Sequence, residues 1–337
     1  MRALRLDFDQ RRLQLTDHPE PAEPGDGEVR IRLLECGVCG TDRGVAGFEF
    51  GCPPAGETSL VLGHEAIAVV EALGPGAGLT RGQLVVPMVR RSCGPLCVMC
   101  RAGRRDNCLT GEYAERGIFG LHGYLCEFAV DHADDLVSIP ENLTDFAVLV
   151  EPASVVEKAW ELALRLHPGT PRNVLILGAG PIGILTAWCA LREGYDVTVL
   201  SLEDEAAQRV NLLRKHGVRY TRTLDGVNAD LVFEACGSAE LAMAAMGAMR
   251  RLAVLIILGA RPAEVRLPCL DMIIGNHIIA GSVNASRQHF ANAVARLQSY
   301  DSRWLAPLLL RLPLARAAET IFAPPPGAIK VVHRISD

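Results

Sequence analysis

Along the first part of the chain apolar and polar positions alternate with a period of two. Val29, Ile31 and Leu33 fall on one face and Arg30 and Arg32 on the other, after the turn-forming segment PEPAEPGDGE. LVLGHEAIAVVEAL and QLVVPMVR are strand-like in turn, each reached through a glycine-rich loop, so the chain begins as a β-rich unit. Pro140-Glu141-Asn142 reads as a turn, and at LVEPASVVEKAWELALRL the period changes: Val155, Val156, Ala159, Trp160, Ala163 and Leu164 recur at helical spacing until His167-Pro168-Gly169 ends the helix. Beyond it, the buried-strand runs NVLIL, YDVTVLSL, ADLVFEACG and AVLIILG alternate with the helical segments ILTAWCALREG, DEAAQRVNLLRKHG and AELAMAAMGAMRR. That alternation predicts a doubly wound parallel sheet with right-handed crossovers.

In the tail, IIAGSVNASRQHFANAVARLQSY predicts a helix carrying Asn284 and His289. AIKVVHRI predicts a last strand that pairs back into the N-terminal β unit. The expected organisation is a β-rich domain of residues 1–150 plus 286–337, with a dinucleotide-binding domain of residues 151–285 inserted in it. A length of 337 residues, more than one hydrophobic core usually supports, agrees with two domains.

Composition narrows the class of function. Thirty-four basic and 39 acidic residues leave a net charge of -5, with no basic stripe, which argues against nucleic acid as the main partner. The N-terminal segment MRALRLDFDQRRLQL mixes charged and apolar residues and predicts no signal peptide, and the apolar run from Leu252 to Leu258 is far too short to span a bilayer. Eleven cysteines, an odd number, point to metal ligation and free thiols in a reducing compartment, so a cytoplasmic location is expected.

Three constellations carry chemistry. Gly178-Ala179-Gly180-Pro181-Ile182-Gly183 follows one strand and opens a helix, the context a dinucleotide fingerprint requires. Gly178 makes the tight turn, Gly180 lets the backbone approach a pyrophosphate, and Gly183 permits close helix–strand packing. At the end of the next strand Ser201 aligns with the ribose-reading position, and Glu203 lies two places on with no arginine adjacent. A 2′-phosphate would meet a carboxylate there, which tips the expectation slightly to NAD without excluding NADP. The second constellation, Cys93, Cys97, Cys100 and Cys108, places four thiols within sixteen residues and can close a tetrahedral zinc; a metal-free loop or a redox-active pair are the alternatives. In the third, Cys39-Gly40-Thr41-Asp42 and Gly63-His64-Glu65 offer a thiolate, an imidazole and carboxylates, the donors of a catalytic zinc with an open position. One cysteine and one histidine that far apart are ordinarily core residues, and it is the remainder of the chain that favours the metal. Glu151, at the entry of the first long helix, would ordinarily be a helix-terminal charge.

The order CGTD, GHE, four-cysteine lobe, EP and GxGxxG, followed by FEACG and VLIILG, resembles the zinc-dependent medium-chain dehydrogenase/reductase superfamily over essentially the whole chain. LVLGHEAI, the arginine pair of VRRSCG, ERGIFGLHGY, EPASVVEKA and GSVNASRQHF are most similar to the archaeal-type glucose 1-dehydrogenases. The resemblance implies a Rossmann sheet inserted in a GroES-like catalytic domain with a structural zinc lobe at about 91–110. It implies a catalytic zinc on Cys39, His64 and Glu151, with Glu65 an alternative ligand, Thr41 as first proton relay and Asp42 orienting His64. Glu115, His289 and Asn284 would line the sugar and nicotinamide cleft.

The implied reaction is hydride transfer from the C1 hydroxyl of an aldose such as glucose to NAD or NADP, giving the lactone. Another polyol, a secondary alcohol or a sugar-like biosynthetic intermediate are alternative substrates, and a non-catalytic nucleotide-binding protein is the alternative of a different class. Relatives are dimers or tetramers, so a homo-oligomer is expected, with an exposed edge near AVLIILG available to pair two sheets. Two departures stand out. The cysteine spacing x3-x2-x7 is one residue longer than the family's x2-x2-x7, at Gly94-Pro95-Leu96, and Ser201-Leu202-Glu203 replaces the family's asparagine-arginine-arginine reader of NADP.

Overall fold

The computed structural model describes residues 1–259 and 263–336. The chain divides into two compact units, Met1–Ser154 with Asn284–Asp337, and Val155–Val283.

The first unit opens with the antiparallel hairpin of β1 (Arg2–Asp7) and β2 (Arg12–Asp17), followed by the long strand β3 (Glu28–Gly37) and the short helix α1 (Gly40–Ala46). Next come β4 (Ser59–Val61), β5 (Glu65–Leu73) and β6 (Leu84–Pro87), the single-turn α2 (Val98–Arg101), the two-residue strands β7 (Glu115–Arg116) and β8 (Gly120–Leu121), then β9 (Phe128–His132) and β10 (Leu136–Ser138). Helix α3 (Val150–Leu166) carries the chain into the second unit.

There β11 (Asn173–Leu177), α4 (Pro181–Arg192), β12 (Asp196–Leu200), α5 (Gln208–Lys215), β13 (Arg219–Thr221), β14 (Ala229–Glu234), α6 (Ala239–Ala245), β15 (Met249–Ile257), α7 (Cys269–Gly275) and β16 (Ile278–Gly281) follow one another. The chain returns to the first unit through α8 (Arg287–Gln298), β17 (Leu309–Pro313) and β18 (Lys330–Arg334).

The alternation of β3 is realised as expected: Val29, Ile31 and Leu33 are wholly buried, while Arg30 on the other face reaches Glu20 and Glu71. β3 is the spine of the unit's main sheet, ordered β10-β6-β5-β3-β18-β17, and it also pairs with β9. The C-terminal strand β18 lies antiparallel on β3, with Val332 opposite Gly37 and His333 opposite Cys36. This register brings Lys330 to the end of β3 from which Cys39 emerges, and the Val38 amide donates to the Val331 carbonyl.

The second unit is an all-parallel sheet of order β13-β12-β11-β14-β15-β16, the doubly wound topology expected from the strand–helix alternation. Leu175, Leu177, Val232 and Leu255 pack its core.

Three element boundaries differ from the sequence expectation. Met249-Arg250-Arg251 belongs to β15 and not to the preceding helix, because pairing of Met249 with Ala229 extends the sheet and Leu252, at φ 69°, absorbs the irregularity. Helix α5 begins only at Gln208, since the Asp204 carboxylate captures the Ala206 amide (2.8 Å) and holds a turn. Asn284 precedes α8 instead of riding on it: Ser286 is the N-cap, closed reciprocally with His289, and Asn284 takes a left-handed φ of 61°.

Candidate active site

Cys39 caps α1. Its sulfur accepts the Thr41 amide (3.2 Å), and its own amide donates to Asp42 Oδ2 (2.8 Å), a capping box built on a cysteine sulfur. The same turn therefore fixes the cysteine, exposes Thr41 in part and buries Asp42 completely. Asp42 Oδ1 lies 3.2 Å from His64 Nδ1, an ionic contact more than a well-aligned hydrogen bond, since neither atom has a directional partner. With Nδ1 turned to the carboxylate, Nε2 faces Cys39 Sγ at 3.1 Å.

His64 is delivered by Gly63, where φ is +94° and a Cβ would stand 2.8 Å from Leu125 and 2.9 Å from Cys36. Only glycine serves there. Glu65 opens β5 and is ion-paired with Lys330, both buried. The pair fits because Gly37 has no side chain: a Cβ at that point would be 2.4 Å from Glu65 Oε2 and 2.9 Å from Lys330 Cε.

Ligand atoms of Cys39, His64 and Glu65 lie within 4.8 Å of one another. Glu151, buried in the first turn of α3, stands outside that set, yet burial and then the Glu65 charge push its carboxyl up to about 7. Burial alone would depress the His64 imidazole, but Asp42 and Cys39 outweigh it and raise it well above the usual range. Asp42 is pushed up by burial and more than compensated by His64, ending low. The imidazole therefore sits among anionic donors. A tetrahedral zinc would place a sulfur and a nitrogen ligand about 3.5 Å apart, so the 3.1 Å pair need open by only a few tenths of an ångström. The residues fit the ion.

The four cysteines of the lobe also converge within 4.8 Å, with Cys93 Sγ 3.4 Å from Cys108 Sγ and 3.6 Å from Cys100 Sγ. Tetrahedral zinc–thiolate geometry sets sulfur separations of about 3.8 Å, so this site fits too. Amides of Cys100 and Leu109 pull the Cys97 thiol down to about 6, readying it as a thiolate. The extra residue of the cysteine spacing is absorbed where expected: Gly94 has φ +116° and Leu96 is 96% exposed.

Glu115 and Asn284 are brought together, Asn284 Nδ2 donating to Glu115 Oε1 (2.8 Å). His289 is buried and its Nδ1 faces the Ser286 amide at 3.0 Å, so one ring nitrogen is committed to capping α8.

In the second unit, Gly178 has φ +110° and a Cβ there would meet Cys236 at 2.9 Å, while one on Gly183 would stand 2.0 Å from the Gly178 carbonyl oxygen. Gly180 faces open space and caps α4 with no side chain, followed by Pro181 and Ile182, which leaves the helix N-terminus bare for an anion. Ser201 is not open: it is buried, its Oγ lying 3.2 Å from Tyr220 Oη. The expectation that no cation lies near Glu203 is corrected, since Arg209 Nη1 stands 2.9 Å from Glu203 Oε1.

Lys330 and Arg209 escaped the sequence reading. For Lys330 a signal existed, a lysine inside the apolar strand AIKVVHRI. Arg209 meets Glu203 only through the turn before α5, which no pattern announces.

A metal-fitting cluster in a β-rich unit, joined in one chain to a doubly wound unit bearing a glycine-rich turn, defines a medium-chain dehydrogenase/reductase. Residues 25–141 match the alcohol dehydrogenase GroES-like domain, and residues 144–335 match the family described as glucose dehydrogenase C-terminus. The chain belongs to this glucose dehydrogenase family.

It is 35% identical to glucose 1-dehydrogenase of Methanocella arvoryzae, covering 87% of this chain and 86% of that one. It is 38% identical to glucose 1-dehydrogenase of Thermoproteus tenax, covering 85% and 84%. Its fold is similar to Haloferax mediterranei glucose dehydrogenase in complex with NADP, Zn and gluconolactone, with a TM-score of 0.92, 29% identity and 100% of both chains covered.

Proposed function

We propose that the protein oxidises the C1 hydroxyl of an aldose, glucose first among them, to the lactone. The observation that carries this is the convergence of Cys39 and His64, braced by Asp42, in a chain similar over its whole length to a structure holding gluconolactone. Zinc, when bound, lowers the pKa of a hydroxyl it meets, and NAD or NADP accepts the hydride.

The chain's residues do the rest. Cys39 and His64 would hold the ion together with Glu151, and Glu65, engaged by Lys330, would be the alternative carboxylate. Asp42 keeps His64 Nδ1 occupied so that Nε2 is presented. Thr41 takes the hydroxyl proton outward as the C1 hydride leaves for the cofactor, and the proton ends in solvent. Glu115, Asn284 and His289 orient the sugar and the nicotinamide. Gly178, Gly180 and Gly183 seat the pyrophosphate.

For the cofactor, we favour NAD over NADP. Arg209 is paired with Glu203, so a 2′-phosphate would meet a carboxylate already holding the nearest cation, whereas a ribose hydroxyl can donate to it.

The small-molecule partner is thus a sugar. We also propose a homo-oligomer formed through β16, an edge strand whose neighbour α7 exposes Leu270 (68%), Ile273 (72%) and Ile274 (55%). A cytoplasmic location is proposed from the odd number of cysteines. Among the described residues no helix is long and apolar enough to cross a membrane.

A panel of aldoses, polyols and simple alcohols assayed with NAD and NADP on zinc-replete protein tests the substrate. Lactone formation from glucose is expected; turnover of simple alcohols without any aldose would overturn the proposal.

A further inference from the structure

Arg90 lies between β6 and the first lobe cysteine and is only 5% exposed. A buried guanidinium persists only where its donors are matched. Its Nε donates to Glu115 Oε1 (2.8 Å) and its Nη1 to the Asp106 carbonyl (3.0 Å), while the Tyr113 ring lies 3.7 Å beneath it. Asp106 and Tyr113 belong to the loop around Cys108, whose sulfur closes the lobe against Cys93. The other end of the fork leads to the sugar side. Glu115 Oε1 also accepts from Asn284 Nδ2, and Asn284 is itself held in a left-handed conformation with Oδ1 on the Ala285 amide (2.8 Å). Two donors thus converge on Oε1, and Oε2 takes no hydrogen bond from the described residues.

We propose that Arg90 is a positioning residue through which the four-cysteine lobe sets the orientation of Glu115 and Asn284. The lobe thereby governs sugar affinity, apart from any part it has in stability. Building on the function proposed above, Glu115 Oε2 is the oxygen that meets a sugar hydroxyl, and Arg90 fixes the plane in which it is offered. The lobe acts at a distance through one side chain: if the Cys108 loop relaxes, the Asp106 carbonyl moves and the guanidinium no longer holds Glu115 in register.

The test is a double-mutant cycle read in KM and kcat for glucose, with cofactor Kd measured by nicotinamide fluorescence. Arg90→Met should raise KM about tenfold, the scale of one lost hydrogen bond to a charged group, with kcat and cofactor Kd within about twofold. In a Glu115→Gln background the same substitution should add less than about threefold. Arg90→Lys should recover part of the loss by restoring a cation beside Glu115. Cys108→Ser, which frees the lobe without touching Arg90, should raise KM in the same way and gives the answer should Arg90→Met not fold.

Full multiplication of the two effects in the double mutant would overturn the proposal. So would parallel losses in kcat, cofactor affinity and melting temperature. If the wild-type enzyme uses a substrate other than an aldose, the function proposed above fails, and the same cycle on that substrate's KM still decides the role of Arg90.

Discussion

The two cysteine clusters of this molecule are built on opposite principles. The lobe draws Cys93, Cys97, Cys100 and Cys108 from one short stretch of backbone, and their sulfurs all lie within 4.8 Å of one another. The other site gathers Cys39 from the end of β3, His64 from the turn before β5 and Glu65 from β5 itself, with Lys330 of β18 and Asp42 of α1 packed around them. A local all-sulfur set can be closed by the ion it holds, so the metal organises the chain. A dispersed, mixed set surrounded by buried charges must be held by the sheet, so the chain would organise a metal there and leave it an open position for chemistry.

That contrast can be broken by experiment. The largest effect is expected from His64→Ala, which should lower kcat at least about a thousandfold through loss of the activating ion while cofactor Kd stays nearly unchanged. Measurable turnover near the wild-type rate would erase the distinction between the two sites.

Lys330→Met should cost about 3–5 kcal/mol of stability in urea unfolding because it strands Glu65 as a buried unpaired charge. Adding Glu65→Gln should restore most of it. A mild effect of Lys330→Met alone would mean that the cluster does not depend on the sheet for its charge balance.

A smaller, pH-dependent effect is expected from the network beside the lobe. Asp131 is pushed up by burial but held low by Arg116 and Arg91, which it meets at 2.6 and 2.5 Å. A carboxyl with a depressed folded value stabilises fully above its unfolded pKa, about 4, and loses that contribution as pH falls through the folded value. Melting temperature should therefore drop steeply below about pH 4 in the wild type, whereas Asp131→Asn should start lower at neutral pH and fall less steeply.

The smallest effect concerns the second unit. Glu203→Gln releases Arg209 and should shift the ratio of NAD to NADP affinity about tenfold towards NADP, one ion pair's worth of preference; calorimetric titration of both cofactors would read it.

Much of this was legible in the sequence, for reasons that can be named. The burial of Val29, Ile31 and Leu33, the parallel pairing of the second unit's strands and the glycine turn all follow from periodicity, from strand–helix alternation or from local backbone demands that one residue type satisfies. The lobe was legible because its ligands are neighbours along the chain. Arg90 within VRRSCG could be noticed but given no role, because its partners Glu115 and Asp106 are reached only through the lobe and the short strands after it. Lys330 depends on the register of β18 on β3, and Arg209 on a turn set by the Asp204 side chain. The helix assigned to Asn284 failed because capping by Ser286, a local competition, decides where α8 starts.

We propose that Cys39 and His64 share one ion separate from that of the lobe. Zinc content per chain, measured by mass spectrometry on wild-type, Cys39→Ser, His64→Ala and Cys97→Ser proteins, tests it most directly. About two zinc ions are expected in the wild type and about one in each variant, with cofactor binding kept in Cys39→Ser and His64→Ala. Two ions retained in both Cys39→Ser and His64→Ala would contradict it.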